Sequence, residues 1–155
     1  MAHPWPVNHL DVERLLADWR WLCPQRLMLI SRNAFGDLFL RDEEGKIFWL
    51  DVAVGRFSLI ADSEAQFLAL CENADKLDEW FAESDARAAA ERGLIPGPGE
   101  CIGFSVPVAF KEGGSPDTPC VIDIYEHVGY LGDLHGQFAG LPYCKVRLTQ
   151  RLTIK

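Results

Sequence analysis

Residues 35–63 read FGDLFLRDEEGKIFWLDVAVGRFSLIADS. Apolar runs at 35–41, 46–52 and 56–61 are separated by two short turns that carry glycine. The first turn is Asp42-Glu43-Glu44-Gly45 and the second is Ala53-Val54-Gly55. Connections this short return the chain beside itself, so neighbouring strands run antiparallel. Gly45 and Gly55 supply the positive φ that such turns demand. A further apolar run at 27–30 precedes them, which predicts a four-stranded antiparallel meander. In the 46–52 strand, Lys46, Phe48, Leu50 and Val52 point one way and Ile47, Trp49 and Asp51 the other. Both faces carry large apolar side chains, so both are expected to be covered.

The cover comes from either side of the meander. Ser63-x-x-Gln66 has the spacing of a capping box and opens a helix containing Phe67, Leu68, Leu70 and Cys71. A second helical stretch at 74–82 carries Leu77, Trp80 and Phe81; a third at 85–92 is alanine-rich and ends at Gly93, a natural C′ residue. Upstream, Val12, Leu15, Leu16, Trp19 and Leu22 repeat at helical spacing over 11–22, with Asp11 as N-cap and Pro24 as the stop. Residues 1–10, with Pro4 and Pro6, form a loose lead-in. Downstream, IPGPGE at 95–100 is a rigid loop, 101–104 a short strand and 111–119 a polar surface loop. Over 121–138, Ile124, Tyr125, Val128, Leu131 and His135 recur at helical spacing, although Gly129, Gly132 and Gly136 weaken that helix. A last strand is expected at 145–149, with Val146 and Leu148 inward. The fold class is therefore α+β: an antiparallel meander covered by several short helices, in one domain spanning 1–155.

Bulk properties narrow the function. A chain of 155 residues, 48% of them hydrophobic, is the size of one domain with a substantial core. Its net charge of −8 argues against nucleic acid as a direct partner and would steer a basic partner inward. No apolar run approaches the ~18 residues of a membrane span, and the start lacks a basic and then apolar signal segment. A cytoplasmic location without membrane contact is the expectation. Cys23, Cys71, Cys101, Cys120 and Cys144 are odd in number, widely spaced and contain no CxxC pair, which suits reduced core thiols. A zinc site from Cys101, Cys120, Cys144, His127 and His135 would have to be assembled by the fold alone, so no metal or cofactor is expected.

Motifs for a nucleophile elbow, a phosphate loop or a metalloprotease helix are absent. The segment at 123–136 concentrates Glu126, His127, Asp133 and His135. A hydrolase using Glu126 and His135 as an acid–base pair is the enzymatic alternative. Nothing nearby supplies a nucleophile or oxyanion site, and His135 falls on the apolar stripe, where a hydrogen-bonded core histidine is the simpler reading. Binding is thus favoured over catalysis. The acidic tip Asp42, Glu43 and Glu44, together with Asp51, offers charge to a basic partner, and Trp49 offers an aromatic anchor. A third reading is a general interaction or scaffold module. An uncovered strand edge would invite homodimerisation.

Residues 35–71 resemble the C-terminal domain of bacterial type VI secretion immunity proteins. The resemblance rests on Gly36, Asp37, Asp42, Gly45, Trp49, Leu50, Asp51, Ala61, Asp62, Ser63, Phe67 and Leu68. GECIGFSVPVAF at 99–110 and GYLGDLHGQFAGLP at 129–142 extend it, so that it covers about residues 10–148. The loop at 111–119 and the tail at 147–155 have no match in it. Many members carry a further N-terminal GAD-like domain, which a chain of this length does not include. The resemblance implies a cytoplasmic immunity protein that binds and neutralises a cognate secreted toxin, often a nuclease, without catalysis of its own. It assigns Gly36, Asp37, Gly45, Asp62 and Ser63 to turns and the helix cap.

Overall fold

A computed structural model of the chain describes residues 5–104 and 119–139. In chain order the elements are α1 (Val12–Leu16), β1 (Met28–Arg32), β2 (Leu38–Arg41), β3 (Ile47–Asp51), β4 (Arg56–Ala61), α2 (Glu64–Leu70), α3 (Ala74–Phe81), α4 (Glu83–Glu91), β5 (Glu100–Phe104), β6 (Pro119–Asp123) and α5 (Ile124–Phe138). The predicted meander is present: strands β1 to β4 form one antiparallel sheet in sequence order. Across the β2–β3 turn Arg41 faces Ile47 and Leu38 faces Leu50. Strands β5 and β6 form a second antiparallel pair, tied to the 33–37 turn by the Ile102 N–H, which donates to the Ala34 carbonyl at 2.8 Å.

Both faces of the large sheet are covered, as the alternation in β3 requires. On one face Leu38, Leu40, Leu50 and Val52 pack with Leu15 and Leu16 of α1 and with Ile124 and Val128 of α5. On the other, Phe39 and Ile47 pack with Phe67 of α2 and with Trp80 and Phe81 of α3. The Phe39 ring lies 4.6 Å from that of Phe81 and 5.7 Å from that of Phe67. Ser63 caps α2, its Oγ accepting from Gln66 N–H at 3.1 Å. Gln66 Oε1 reaches back to the Asp62 N–H, one residue before the cap. Among the described residues no helix is long and apolar enough to cross a membrane.

Several boundaries differ from the sequence reading, each for a visible reason. The helix expected at 11–22 stops at Leu16 and continues as tight turns, with Trp19 N–H on the Leu16 carbonyl and Leu22 N–H on the Trp19 carbonyl. A continuous helix would set Trp19 and Trp21 about 200° apart. The turns instead aim both indoles at α5: Trp19 Nε1 donates to the Val128 carbonyl at 2.8 Å and Trp21 Nε1 to the Gly132 carbonyl at 3.1 Å. Gly132 and Gly136, which weaken α5 by propensity, make that approach possible. A Cβ on Gly132 would come within 2.8 Å of the Trp19 ring, and one on Gly136 within 3.0 Å of Trp21 Nε1. Residues 121–123 are strand rather than helix, because they pair with β5 and Asp123 then caps α5, accepting from Glu126 N–H at 3.0 Å. Helix α4 begins at Glu83 instead of 85, separated from α3 by Ala82 alone at φ 50°. Most of the 111–119 loop, the strand expected at 145–149 and Cys144 lie outside the described residues.

Candidate functional site

The α2–α3 side of the sheet is closed by aromatics near the β2–β3 turn and opens at the opposite end. A cleft of about 650 Å³ lies there, bounded by the start of β2, the end of β3, the α3–α4 corner, the β5–β6 pair and α5. This is within the size range of pockets that hold small ligands or anchoring side chains. Its apolar walls include Phe35, Trp49, Ile102, Phe104 and Tyr130, and the last two remain well exposed at the mouth. Asp37, Asp51, Glu79, Asp85 and Glu126 also line it, and no lysine or arginine is among its described lining residues.

Strand alternation and register assemble one side. Trp49 and Asp51 are two residues apart, so both point to the same face. The pairing of Leu38 with Leu50 brings Asp37 beside Asp51 across the hairpin. Asp37 is buried and held by three donors: Trp49 Nε1 at 3.0 Å, Val52 N–H at 3.1 Å and Asn33 Nδ2 at 3.2 Å. Asn33 in turn folds the preceding turn around itself. Its Oδ1 accepts from Phe35 and Asp37 N–H, and its Nδ2 also donates to the Trp80 carbonyl at 3.0 Å. Gly36, at φ 90°, completes that turn. Burial, and then the neighbouring charge of Asp51, push the Asp37 carboxyl up to about 7, against the pull of its hydrogen bonds.

Helix α5 supplies the other side, with Glu126 and Tyr130 at i and i+4 on one stripe. His127 borders the same cleft and is fitted against two glycines: a Cβ on Gly103 would approach its Nδ1 to 2.9 Å and one on Gly36 its Cδ2 to 3.3 Å. Burial lowers the His127 pKa, which disfavours a positive charge there. Of the ion pairs formed among the described residues, only Lys76–Glu79, at 3.5 Å on the surface, involves a cleft carboxylate. Asp37, Asp51, Asp85 and Glu126 thus face the cleft without a cationic partner among the described residues.

The residues singled out from the sequence divide between two places. Trp49 and Asp51 line the cleft. Asp42, Glu43 and Glu44 sit at the other end of β3, roughly 20 Å away by strand rise. Asp42 Oδ1 is engaged in its own turn, accepting from the N–H groups of Glu44 and Lys46 at 2.9 Å each. Lys46 pairs with Glu44 at 3.3 Å, and Arg26 and Arg41 border the groove beside the tip. Glu126 and His135, the acid–base alternative, are not brought together. Nine residues along a helix place them on opposite sides and about 13.5 Å apart along the axis. His135 Nε2 lies 3.1 Å from the Ala53 carbonyl, and its ring lies 5.9 Å from that of Trp19. Burial lowers its pKa.

The described cysteines are free thiols, three of them buried. Desolvation pushes Cys23 up to about 11 and Cys101 up to about 12, which keeps both protonated and inert. No group of three or more potential metal ligands converges among the described residues. No family model matches this chain, and no curated protein matches it.

Proposed function

We propose that this chain is an immunity-type protein of the kind its sequence resembles, one that binds and neutralises a basic secreted toxin by direct contact. The observation that carries the reading is the cleft, with aromatic walls and four carboxylates, Asp37, Asp51, Asp85 and Glu126, that have no cationic partner among the described residues. A nuclease presents lysine and arginine along the groove that holds its substrate's phosphates. An acidic surface competes for that groove, and complementary charge raises the encounter rate. Aromatic side chains at the contact then slow dissociation. The net charge of −8 supports the same partner.

The test is co-expression with the product of an adjacent gene that is toxic alone, followed by recovery of the tagged protein. Restored growth and a stable complex in low salt support the reading. A toxin that kills equally in the presence of the protein, with no complex recovered, overturns it.

A further inference from the structure

We propose that the cleft receives an arginine side chain of the partner, the stem and guanidinium face lying along Trp49 and Tyr130 and the N–H groups directed to Asp51 and Glu126. The inference rests on the proposed binding of a basic partner and names what that partner must present.

Three features select the occupant. First, the charge is of one sign. The cleft is lined by five carboxylates and by a histidine whose charged form burial disfavours. An anionic ligand is repelled, and an uncharged apolar one leaves the carboxylates unmatched. Second, the acids are not equally available. Both oxygens of Asp37 are occupied by three donors, so it offers no open acceptor. Among the described residues Asp51 commits only Oδ1, to Val54 N–H at 3.3 Å. Neither Asp51 nor Glu126 has an ion-pair partner among the described residues. Third, the walls carry the aromatic rings of Phe35, Trp49, Phe104 and Tyr130. A compact, strongly hydrated ammonium gains little from them, and a bare metal ion meets no converging ligand set among the described residues. The guanidinium is planar and weakly hydrated on its faces. It stacks on aromatic rings while its edge donates to carboxylates in a fork.

The test uses the whole protein and three blocked tripeptides, glycine–X–glycine, with X as arginine, lysine or citrulline. Citrulline keeps the shape of arginine and removes its charge. The readout is the Trp49 indole N–H resonance, assigned through a Trp49→Phe variant. The arginine peptide is expected to shift it saturably with a Kd on the order of millimolar. The lysine peptide should bind several-fold more weakly and the citrulline peptide about tenfold more weakly or worse. Asp51→Asn and Glu126→Gln should each weaken the arginine peptide by roughly three- to fivefold. Both variants keep the side-chain shape, and an asparagine at the first position can still accept from Val54 N–H. Equal shifts from arginine and citrulline, no saturable shift at Trp49, or an unchanged Kd in both variants would overturn the assignment. A toxin still neutralised after such a failure would leave the immunity reading standing. Arginine binding with no toxin neutralised would retain the pocket and discard the toxin.

Discussion

The two ends of the β2–β3 hairpin are both acidic, and they differ in what their carboxylates do. At the turn, Asp42 organises two backbone N–H groups, Glu44 pairs with Lys46, and arginines border the adjoining groove. At the open end, Asp37, Asp51 and Glu126 line a space with aromatic walls and no cation among its described lining residues. Charge density along the sequence is highest at the turn. Charge without compensation, which is what a basic partner detects, is highest in the cleft. A run of acids in sequence is a local fact, whereas an unpaired acid is a tertiary one.

The same chemical deletion at the two ends should separate them most sharply. Asp37→Ala removes the acceptor of three donors, the half-buried Trp49 Nε1, the buried Val52 N–H and the buried Asn33 Nδ2, the last of which keeps its bond to the Trp80 carbonyl. Each orphaned buried donor costs about 1–3 kcal/mol, so a loss of about 3 kcal/mol or more is expected. Asp42→Ala removes two bonds whose donors are reached by water, and should cost about 1 kcal/mol or less. Urea unfolding of the two variants measures the difference, and equal losses would break the contrast.

Titration sharpens it next. The folded pKa of Asp37 is raised to about 7 from the ordinary 3.8. Between those values the folded chain holds a proton that the unfolded chain has released. The contribution of this group to stability therefore falls as pH rises across that window. His127 and His135, both lowered by burial, act in the opposite sense and lose stability as pH falls through 6.5. The groups facing Asp37 across the cleft are Asp51 from β3, Glu79 and Asp85 from α3 and α4, and Glu126 and His127 from α5. Asp37→Asn should be less stable at every pH, because one amide oxygen cannot serve three donors. The decline from about pH 4 to 7 should flatten. Unfolding midpoints of both proteins across that range measure it, and parallel curves would show that Asp37 titrates normally.

Much of this frame was legible in the sequence, and the reasons are local. The glycine-bearing turns at 42–45 and 53–55 dictated the meander, and period-two alternation put Trp49 and Asp51 on one face. The place of Asp37 beside Asp51 was countable too, since a tight turn fixes register. The resemblance assigns Asp37 to a turn, and its N–H bond to Asn33 Oδ1 makes it one. Glu79, Asp85, Glu126 and Tyr130 come from elements far apart in sequence, and no local signal says that α5 and the α3–α4 corner face one another. The glycines of α5 misled for a related reason. Propensity counts their cost to the helix, and only packing shows that Trp19 and Trp21 need the space.

Against a toxin, the two acidic ends should separate by rate constant. Neutralising the cleft with Asp51→Asn and Glu126→Gln together should weaken the complex by about tenfold or more, mostly by faster dissociation, because these charges sit beside aromatic contacts. Neutralising the tip with Asp42→Asn, Glu43→Gln and Glu44→Gln should slow association two- to threefold in low salt and leave dissociation unchanged. Surface-immobilised kinetics at two salt concentrations distinguish them. A larger effect from the tip would reverse the assignment of the interface.

The smallest effect concerns the corner that shapes the cleft. Ala82 borders the cleft between α3 and α4 and holds φ 50°, ψ 45°, a conformation that costs an L-residue roughly 1–2 kcal/mol. What compensates is the register around it. Ala82 N–H donates to the Asp78 carbonyl, the Ala82 carbonyl accepts from Ala86, and Asp78 Oδ1 accepts from Ser84 N–H at 2.8 Å. The Ser84 bonds also hold the Asp78 carboxyl below its ordinary pKa. Ala82→Gly removes the strain and adds freedom to the unfolded chain, so the two effects oppose and the net gain should be under about 1 kcal/mol. If α3 and α4 are fixed by those bonds, Trp49 and the arginine-peptide affinity should not change. A glycine variant that gains stability and loses cleft affinity would show instead that the strained corner, rather than its hydrogen bonds, holds Glu79 and Asp85 at the rim.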